Sequence, residues 1–129
     1  LGRKLLTVRD IMHVGDEIPL VRPERPMAEV LFTITGKSFG STGVVDDAGR
    51  LIGVITDGDL RRHMKPDFLL LTAGDIMTKN PVTIGPDILA LQALGLMQKR
   101  AITTIFVVEN GGEAVGILHI HDCLRAGLE

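Results

Sequence analysis

The sequence predicts an α+β fold made of two copies of one small unit, each with a small sheet flanked by helices. An internal repeat predicts the duplication, and alternating strand-like and helix-like patterns predict the mixed content. The 129 residues are 45% hydrophobic and 23% charged, which is typical of a chain that buries a core. We expect pseudo-two-fold symmetry, because one such unit cannot bury its sheet and helix faces alone.

The repeat is defined by anchors that recur at a constant offset. Three residues of the first copy recur 63 positions later: Pro23, Gly53 and Asp59 match Pro86, Gly116 and Asp122. The tripeptide Asp10–Met12 recurs 65 positions later, so the first copy carries two extra residues between His13 and Arg22. These offsets predict a first repeat over residues 1–64, a linker over 65–71 and a second repeat over 72–129.

Each repeat begins with a short helix and a short strand. The apolar residues of these lead-in helices are Val8, Ile11 and Met12 in the first copy and Ile76 and Met77 in the second. The extended segments Ile18–Val21 and Val82–Ile84 follow, and each ends near a proline, which cannot continue a helix inward.

A longer helix comes next in each copy. In the first, apolar residues stand at i, i+3, i+4 and i+7 and form one stripe: Met27, Val30, Leu31 and Ile34. The second copy has a similar series: Leu89, Ala93, Leu96, Met97 and Arg100. We expect all four phenylalanines, which have apolar neighbours, to lie in the core.

A hairpin and a short closing helix complete each copy. The predicted strand pairs are Thr42–Val45 with Leu51–Ile55, and Ile105–Val108 with Val115–Leu118. The turns at 46–49 and 109–112 contain residues that tolerate positive φ. The closing helices begin at Asp57 and His121, and the apolar run at 68–71 is expected to pack back onto the domain.

The most informative segment is the junction between the last strand and the closing helix. Gly53 lies in the strand, and Thr56 and Asp59 follow at the helix start. A threonine hydroxyl can donate to a phosphate or sugar oxygen, and a carboxylate can accept from two sugar hydroxyls. The glycine would let the backbone approach a base closely. Thr56 and Asp59 also fit a capping box, and the two roles are compatible.

This arrangement resembles the CBS family, whose tandem motifs form a module often called a Bateman domain. The family pattern is a strand glycine, then Thr or Ser, two residues, and Asp. The second copy departs from it at His119, which replaces the hydroxyl residue. The resemblance implies a nucleotide-type ligand in the cleft between the repeats, held by Gly53, Thr56, Asp59, Thr42, Gly116, His119 and Asp122.

A closer resemblance is to the C-terminal region of the bacterial arabinose-5-phosphate isomerases, in which a sugar-isomerase (SIS) domain precedes a CBS pair. It is carried by an ordered set of short matches: residues 1–6, 10–13, 15–19, 56–62 and 118–122. The resemblance implies a regulatory fragment of a longer chain, with the missing part before Leu1, no catalytic residue of its own, and a parent enzyme that feeds the synthesis of Kdo, a lipopolysaccharide sugar. The implied regulatory ligand is an adenine nucleotide or cytidine-linked Kdo.

Several other polar residues have two interpretations. Lys37 and Arg100 end equivalent helices, where cations interact favourably with the helix dipole, and they could also contact phosphate. His119 and His121 form a His-x-His pair without a third ligand at suitable spacing. Although His13 and His63 could approach in the fold, we predict no metal site.

Four residues near the first hairpin strands are either ligand contacts or ordinary strand residues: Ser41 and Thr42, with Thr103 and Thr104 opposite. Arg61 and Arg62 are either phosphate contacts or solvated surface charges.

The composition excludes several functional classes. The net charge of −2 and the dispersed basic residues argue against nucleic-acid or membrane-surface binding. A single cysteine, Cys123, allows no internal disulfide and is expected to be packed, and cytoplasmic location is the default. No nucleophile triad or Walker-type loop is present. The sequence therefore predicts a ligand-sensing module, or alternatively a structural dimerisation module that joins CBS pairs into homodimers without a ligand.

Overall fold

The computed structural model describes residues 5–128. The helices are α1 (Val8–Ile11), α2 (Met27–Lys37), α3 (Asp57–Arg62), α4 (Ala73–Ile76), α5 (Ala90–Arg100) and α6 (Ile120–Arg125). The strands are β1 (Leu20–Val21), β2 (Thr42–Val45), β3 (Leu51–Ile55), β4 (Thr78–Lys79), β5 (Thr83–Ile84), β6 (Thr104–Glu109) and β7 (Glu113–His119). Single 3₁₀ turns span Gly15–Glu17 and Phe68–Leu70. The predicted α+β class is confirmed, and residues 1–4 of the isomerase resemblance lie outside the described residues.

The chain forms two compact units, and their boundaries differ from those of the sequence repeats. The central unit is Asp16–Pro81, and the terminal unit joins the N-terminal segment through Gly15 to the segment from Val82 onward. Each unit therefore contains the lead-in helix of the other sequence repeat. Helix α4, from the second repeat, belongs to the central unit, and α1, from the first repeat, belongs to the terminal unit.

The central unit contains a four-stranded sheet in the order β1-β2-β3-β4. Strand β1 is parallel to β2, while β2–β3 and β3–β4 are antiparallel. The terminal unit has the matching order β5-β6-β7 with the same parallel and antiparallel pairings. An isolated antiparallel bridge between His13 and Ile117 takes the place of β4 there. In both units, the lead-in segment thus closes the edge of the sheet.

The long helices pack one face into their own unit's core. The stripe predicted for α2 is confirmed, whereas in the series predicted for α5 only Ala93 and Met97 are buried and Arg100 is exposed. On α2, the buried residues are Met27, Val30 and Ile34. On α5, they are Ala90, Ala93, Leu94 and Met97. Each helix ends at a residue in the left-handed conformation, Ser38 (φ 65°) or Ala101 (φ 54°). A left-handed residue is a common way to end a helix.

One expectation about apolar residues is wrong, and another is confirmed only in part. Phe32 is 79% exposed, because it lies two positions after Val30 and therefore off the buried stripe of α2. In the linker, Phe68 is buried, but Leu69 and Leu70 are 50% and 84% exposed, because one 3₁₀ turn points successive side chains in different directions.

Cys123 is packed as predicted, with no exposed surface, and burial raises the pKa of its thiol. Among residues 5–128, no helix is long and apolar enough to span a bilayer.

Candidate functional site

The strand-to-helix junction of the central unit is organised around Asp59. Thr56 is the N-cap of α3, and Asp59 is the third residue of that helix. One carboxylate oxygen, Oδ2, accepts from the Thr56 backbone N–H at 2.9 Å and from the Thr56 hydroxyl at 3.2 Å. The structure thus confirms the capping-box interpretation of this motif.

The second oxygen of Asp59 joins the closing helix to the lead-in segment that follows it. Oδ1 accepts from the Thr78 hydroxyl at 2.5 Å and from the Arg62 guanidinium. The residue is only 2% exposed. Burial by itself raises the pKa of this carboxyl, but the hydrogen bonds from Thr78, the Thr56 N–H and Arg62 outweigh it and hold the pKa below its ordinary value. Asp59 is therefore a buried, ionised and fully engaged carboxylate.

The terminal unit repeats this arrangement with Asp122. Its Oδ2 accepts from the His119 backbone N–H at 2.8 Å, and its Oδ1 lies 2.9 Å from His13 Nε2 and contacts the Arg125 guanidinium. Burial raises the pKa of Asp122, but the bonds from His119, His13 and Arg125 again prevail and lower it. His13 thus occupies the position that Thr78 occupies in the central unit.

The structure gives a local reason for the histidine at the degenerate motif position. His119 is the N-cap of α6, and its Nδ1 accepts from the His121 backbone N–H at 3.0 Å. The imidazole nitrogen therefore serves the capping role of a hydroxyl oxygen. Burial, followed by the nearby charge of His121, lowers the pKa of His119. A lowered pKa favours the neutral ring, which keeps Nδ1 free to accept.

The two motif glycines are required by methionines of the lead-in segments. A Cβ built on Gly53 would lie 2.5 Å from Met77 Sδ and 3.0 Å from the Thr78 carbonyl oxygen. A Cβ on Gly116 would lie 2.5 Å from Met12 Sδ. Each glycine thus accommodates a methionine of its own unit, and the approach of a base to Gly53 stays a prediction.

The other predicted contacts are less closely associated with the motif. Thr42 is fully buried, and its hydroxyl donates to the Pro19 carbonyl at 3.0 Å, although β2 places it opposite Ile55, next to Thr56. Lys37 Nζ donates to the Asp16 carbonyl, and Arg100 is exposed at the end of α5. The structure shows the two cations at helix ends, as the dipole interpretation expects, and their predicted phosphate contacts stay predictions.

The other residues that had two interpretations differ in burial and in position. Ser41 is buried, Arg61 is exposed, and Thr103 and Thr104 precede or begin β6. The rings of His119 and His121 lie 4.5 Å apart. Among residues 5–128, no group of three or more His, Cys, Asp or Glu side chains is arranged to hold a metal ion.

Thr78 was not predicted from the sequence, and His13 was considered only as a further histidine beside His119 and His121. A signal was nevertheless present, because both residues directly follow the repeated Asp-Ile-Met tripeptide at the same offset of 65. Their contacts with Asp59 and Asp122 form because a segment distant in sequence pairs with the edge of the sheet. Local sequence patterns do not specify such pairing.

The two units share a strand order over three strands, a capped closing helix and a buried aspartate. The sequence profile of the CBS domain matches residues 8–66 and 73–129, and the chain belongs to the CBS domain family as a tandem pair.

Curated relatives carry this pair within longer chains. The chain is 47% identical over 131 aligned residues to the arabinose 5-phosphate isomerase KdsD of Escherichia coli K12 and 46% identical to that of Yersinia pestis. Each alignment covers 99% of this chain but 40% of the relative. The chain therefore spans well under half the length of these enzymes.

Solved structures share the fold. The structure of CBSX2 in complex with AMP is 25% identical, with a TM-score of 0.83, and the match covers 95% of this chain and 96% of that one. The CBS pair of MJ0100, in complex with 5′-methylthioadenosine and S-adenosylmethionine, is 24% identical with a TM-score of 0.81, covering 94% of both chains. The likeness supports the assignment of two CBS repeats.

Proposed function

We propose that this chain is the ligand-sensing regulatory module of an arabinose-5-phosphate isomerase of the Kdo pathway, and that it binds a nucleotide or nucleotide-sugar. The observation that carries the proposal is the identity of 46–47% to isomerases along 99% of this chain. The catalytic centre of such an enzyme would lie outside this chain, in a sugar-isomerase domain. The module would act by binding its ligand more tightly in one conformation than in another.

The geometry suggests how each motif takes a ligand. Asp59 Oδ1 is paired with the Arg62 guanidinium, and the Arg62 side chain is 64% exposed on the surface of α3. A phosphate would offer the guanidinium a new charge-assisted partner, and the freed carboxylate lone pair would accept from ribose hydroxyls. Arg125, 68% exposed, stands in the same relation to Asp122. Ligand binding thus proceeds by exchange of hydrogen-bond partners around an already ionised carboxylate.

The ligand class follows from two considerations. The 25% identical CBSX2 structure contains AMP, which favours an adenine nucleotide. Kdo is the product that the pathway of such isomerases would supply, which favours cytidine-linked Kdo as a feedback signal. Both ligands carry a ribose and a phosphate, so both fit the exchange described above.

The test is a thermal-shift titration of the chain with AMP, ATP, GMP, CMP and cytidine-linked Kdo. A ligand that binds only the folded state raises the melting temperature with concentration, by several degrees at 100 times its Kd. Matched Asp59→Asn and Asp122→Asn variants show which unit holds the ligand, because the shift disappears only where the carboxylate is needed. No shift with any of the five compounds would overturn the proposal.

A second function, self-association without a ligand, is favoured by an apolar groove on the central unit. The groove has a volume of about 340 Å³ and is lined by Leu31, Leu60, Met64, Lys65, Pro66, Phe68 and Leu69. The exposed Phe32 and Leu70 adjoin its lining residues in sequence. The equivalent positions of Phe32 and Met64 in the second repeat are Gly95 and Gly127, so this surface belongs to one repeat only. Such a patch fits an isologous contact between two copies.

Sedimentation equilibrium distinguishes the second function from the first. The double variant Phe32→Glu, Leu70→Glu is expected to be monomeric at concentrations where the unchanged chain is dimeric. Leu124→Glu, at a 49% exposed leucine of the terminal unit, is the matched control and leaves the dimer intact. A dimer that survives the double variant would exclude the groove as the contact.

A further inference from the structure

The lead-in segment Leu6–His13 is tied to the terminal unit at both ends. The Val8 N–H donates to the Ile88 carbonyl at 2.9 Å, and the Ala90 N–H donates to the Leu6 carbonyl at 2.8 Å. At its other end, His13 and Ile117 exchange backbone hydrogen bonds of 2.9 and 3.0 Å. Since Val8 is completely buried, this segment is part of the folded unit and not an appendage.

The far end of that segment is also held by a pair of ionisable side chains. His13 Nε2 lies 2.9 Å from Asp122 Oδ1, with the imidazole 28% and the carboxylate 6% exposed. The carboxylate is ionised at neutral pH because its pKa is lowered. The charge of the pair is therefore decided by the imidazole, which ordinarily titrates near pH 6.5.

We propose that His13 is a pH-sensitive latch: its imidazolium, paired with Asp122, fastens the lead-in segment to the terminal unit, and loss of its proton loosens that segment. The central unit provides an internal reference, because the equivalent residue, Thr78, binds Asp59 through a hydroxyl that does not titrate in this range. The device is thus confined to one of two otherwise matching units. The latch needs no ligand, although it shares Asp122 with the proposed ligand site, and so it goes beyond the proposed function.

Besides Asp122, the charged or titratable side chains near the pair include Arg125 and His121 on α6 and His119, the last residue of β7. Arg125 contacts the same carboxylate oxygen and repels the imidazolium, but its side chain is 68% exposed, so solvent screens it. His119 is coupled to His13, and its lowered pKa favours the uncharged ring. His121 is exposed and faces the His119 ring. We infer that the 2.9 Å contact with the buried carboxylate favours the imidazolium, because the same contact lowers the pKa of Asp122 and attraction rises with proximity and burial.

The pH dependence of the latch has a defined sign. The stabilisation by the charged pair is present below the titration of His13 and is lost as pH rises through it. His119 contributes with the opposite sign, because a lowered folded-state pKa gives stability that is lost as pH falls. A His119→Thr background, which restores the hydroxyl of the first motif, removes this opposing contribution.

The direct test is amide hydrogen exchange of the 129-residue chain at pH 5.5 and pH 8, corrected for intrinsic exchange. The His13 and Ile117 amides are expected to lose protection at pH 8, up to about tenfold if the pair shifts the imidazole pKa by one unit. The Thr78 and Val54 pair, in register across β3 and β4, is the control and should not change. Equal changes at both pairs would overturn the proposal.

Two further measurements guard against a variant that merely destabilises the chain. An NMR titration of the unchanged chain should show the pKa of the His13 imidazole above the ordinary histidine value of about 6.5, and a pKa at or below that value would refute the latch. His13→Gln keeps a hydrogen-bond donor without a titrating charge and should abolish the pH dependence of protection. Thr78→His should install the same dependence at the central unit.

Discussion

At the residue scale, the two motif glycines are the positions where one added methyl group has the clearest cost. Gly53→Ala places a Cβ against Met77 Sδ and the fixed Thr78 carbonyl oxygen, at 2.5 and 3.0 Å. We expect a loss of about 1–3 kcal/mol in the free energy of unfolding, measured by urea denaturation. Gly95→Ala is the control: nothing lies within 4 Å of its Cβ on α5, so it should stabilise by about 0.5–1 kcal/mol. A neutral Gly53→Ala would show that Met77 moves aside freely.

The second residue-scale prediction concerns acid stability. Because the folded-state pKa of Asp59 is lowered, its stabilisation is present above the unfolded value of about 3.9 and is lost as pH falls through the folded value. Asp59→Asn should cost about 1–3 kcal/mol at pH 7, and its stability should depend less on pH below 4 than that of the unchanged chain. Asp57→Asn, an exposed change in the same helical turn, should keep the original acid profile. Parallel acid profiles for all three chains would contradict the assigned role.

At the scale of the element, the helix ends offer a test of backbone conformation. Ala101 ends α5 with φ of 54°, a conformation that costs an alanine about 1 kcal/mol and a glycine almost nothing. Ala101→Gly should therefore raise the free energy of unfolding by about that amount. Gln98→Gly, three residues earlier on the exposed face of the same helix, should lower it by a similar amount. The two thermal melts should shift in opposite directions, and shifts of the same sign would exclude the conformational explanation.

Elements that depend on local patterns were predictable, whereas those that depend on long-range pairing were not. The stripe of α2, the hairpins and the capped start of α3 each follow from residues close in sequence, and the structure confirms them. Strand β4 was not predicted, since Thr78–Lys79 is two exposed polar residues that form a strand only by pairing with Gly53 and Val54. The same reason explains why the hydrogen bond from Thr78 to the Asp59 carboxylate was not predicted, whereas its capping bond with Thr56 was.

At the scale of the whole molecule, the repeats and the compact units make different predictions about which piece folds alone. The core cluster of the central unit runs from Val21 to Ile76, and it includes Phe68 and Ala73. A fragment ending at residue 66, like the first family match, lacks those residues and strand β4. A fragment of residues 16–81 contains the complete four-stranded sheet and every buried member of that cluster.

We therefore expect fragment 16–81 to fold and fragment 8–66 to remain largely unfolded, although the two are similar in length. The reason is that the shorter boundary removes Ala73 and Ile76, which are 0% and 1% exposed, together with the Thr78 hydroxyl that holds Asp59. Far-UV circular dichroism and amide dispersion in NMR spectra distinguish the outcomes, and Ile76→Asp in fragment 16–81 is the control that should unfold it. If fragment 8–66 folded equally well, the lead-in helix α4 would be dispensable, and the sequence repeat, with its predicted boundaries at 64 and 72, would be the true folding unit.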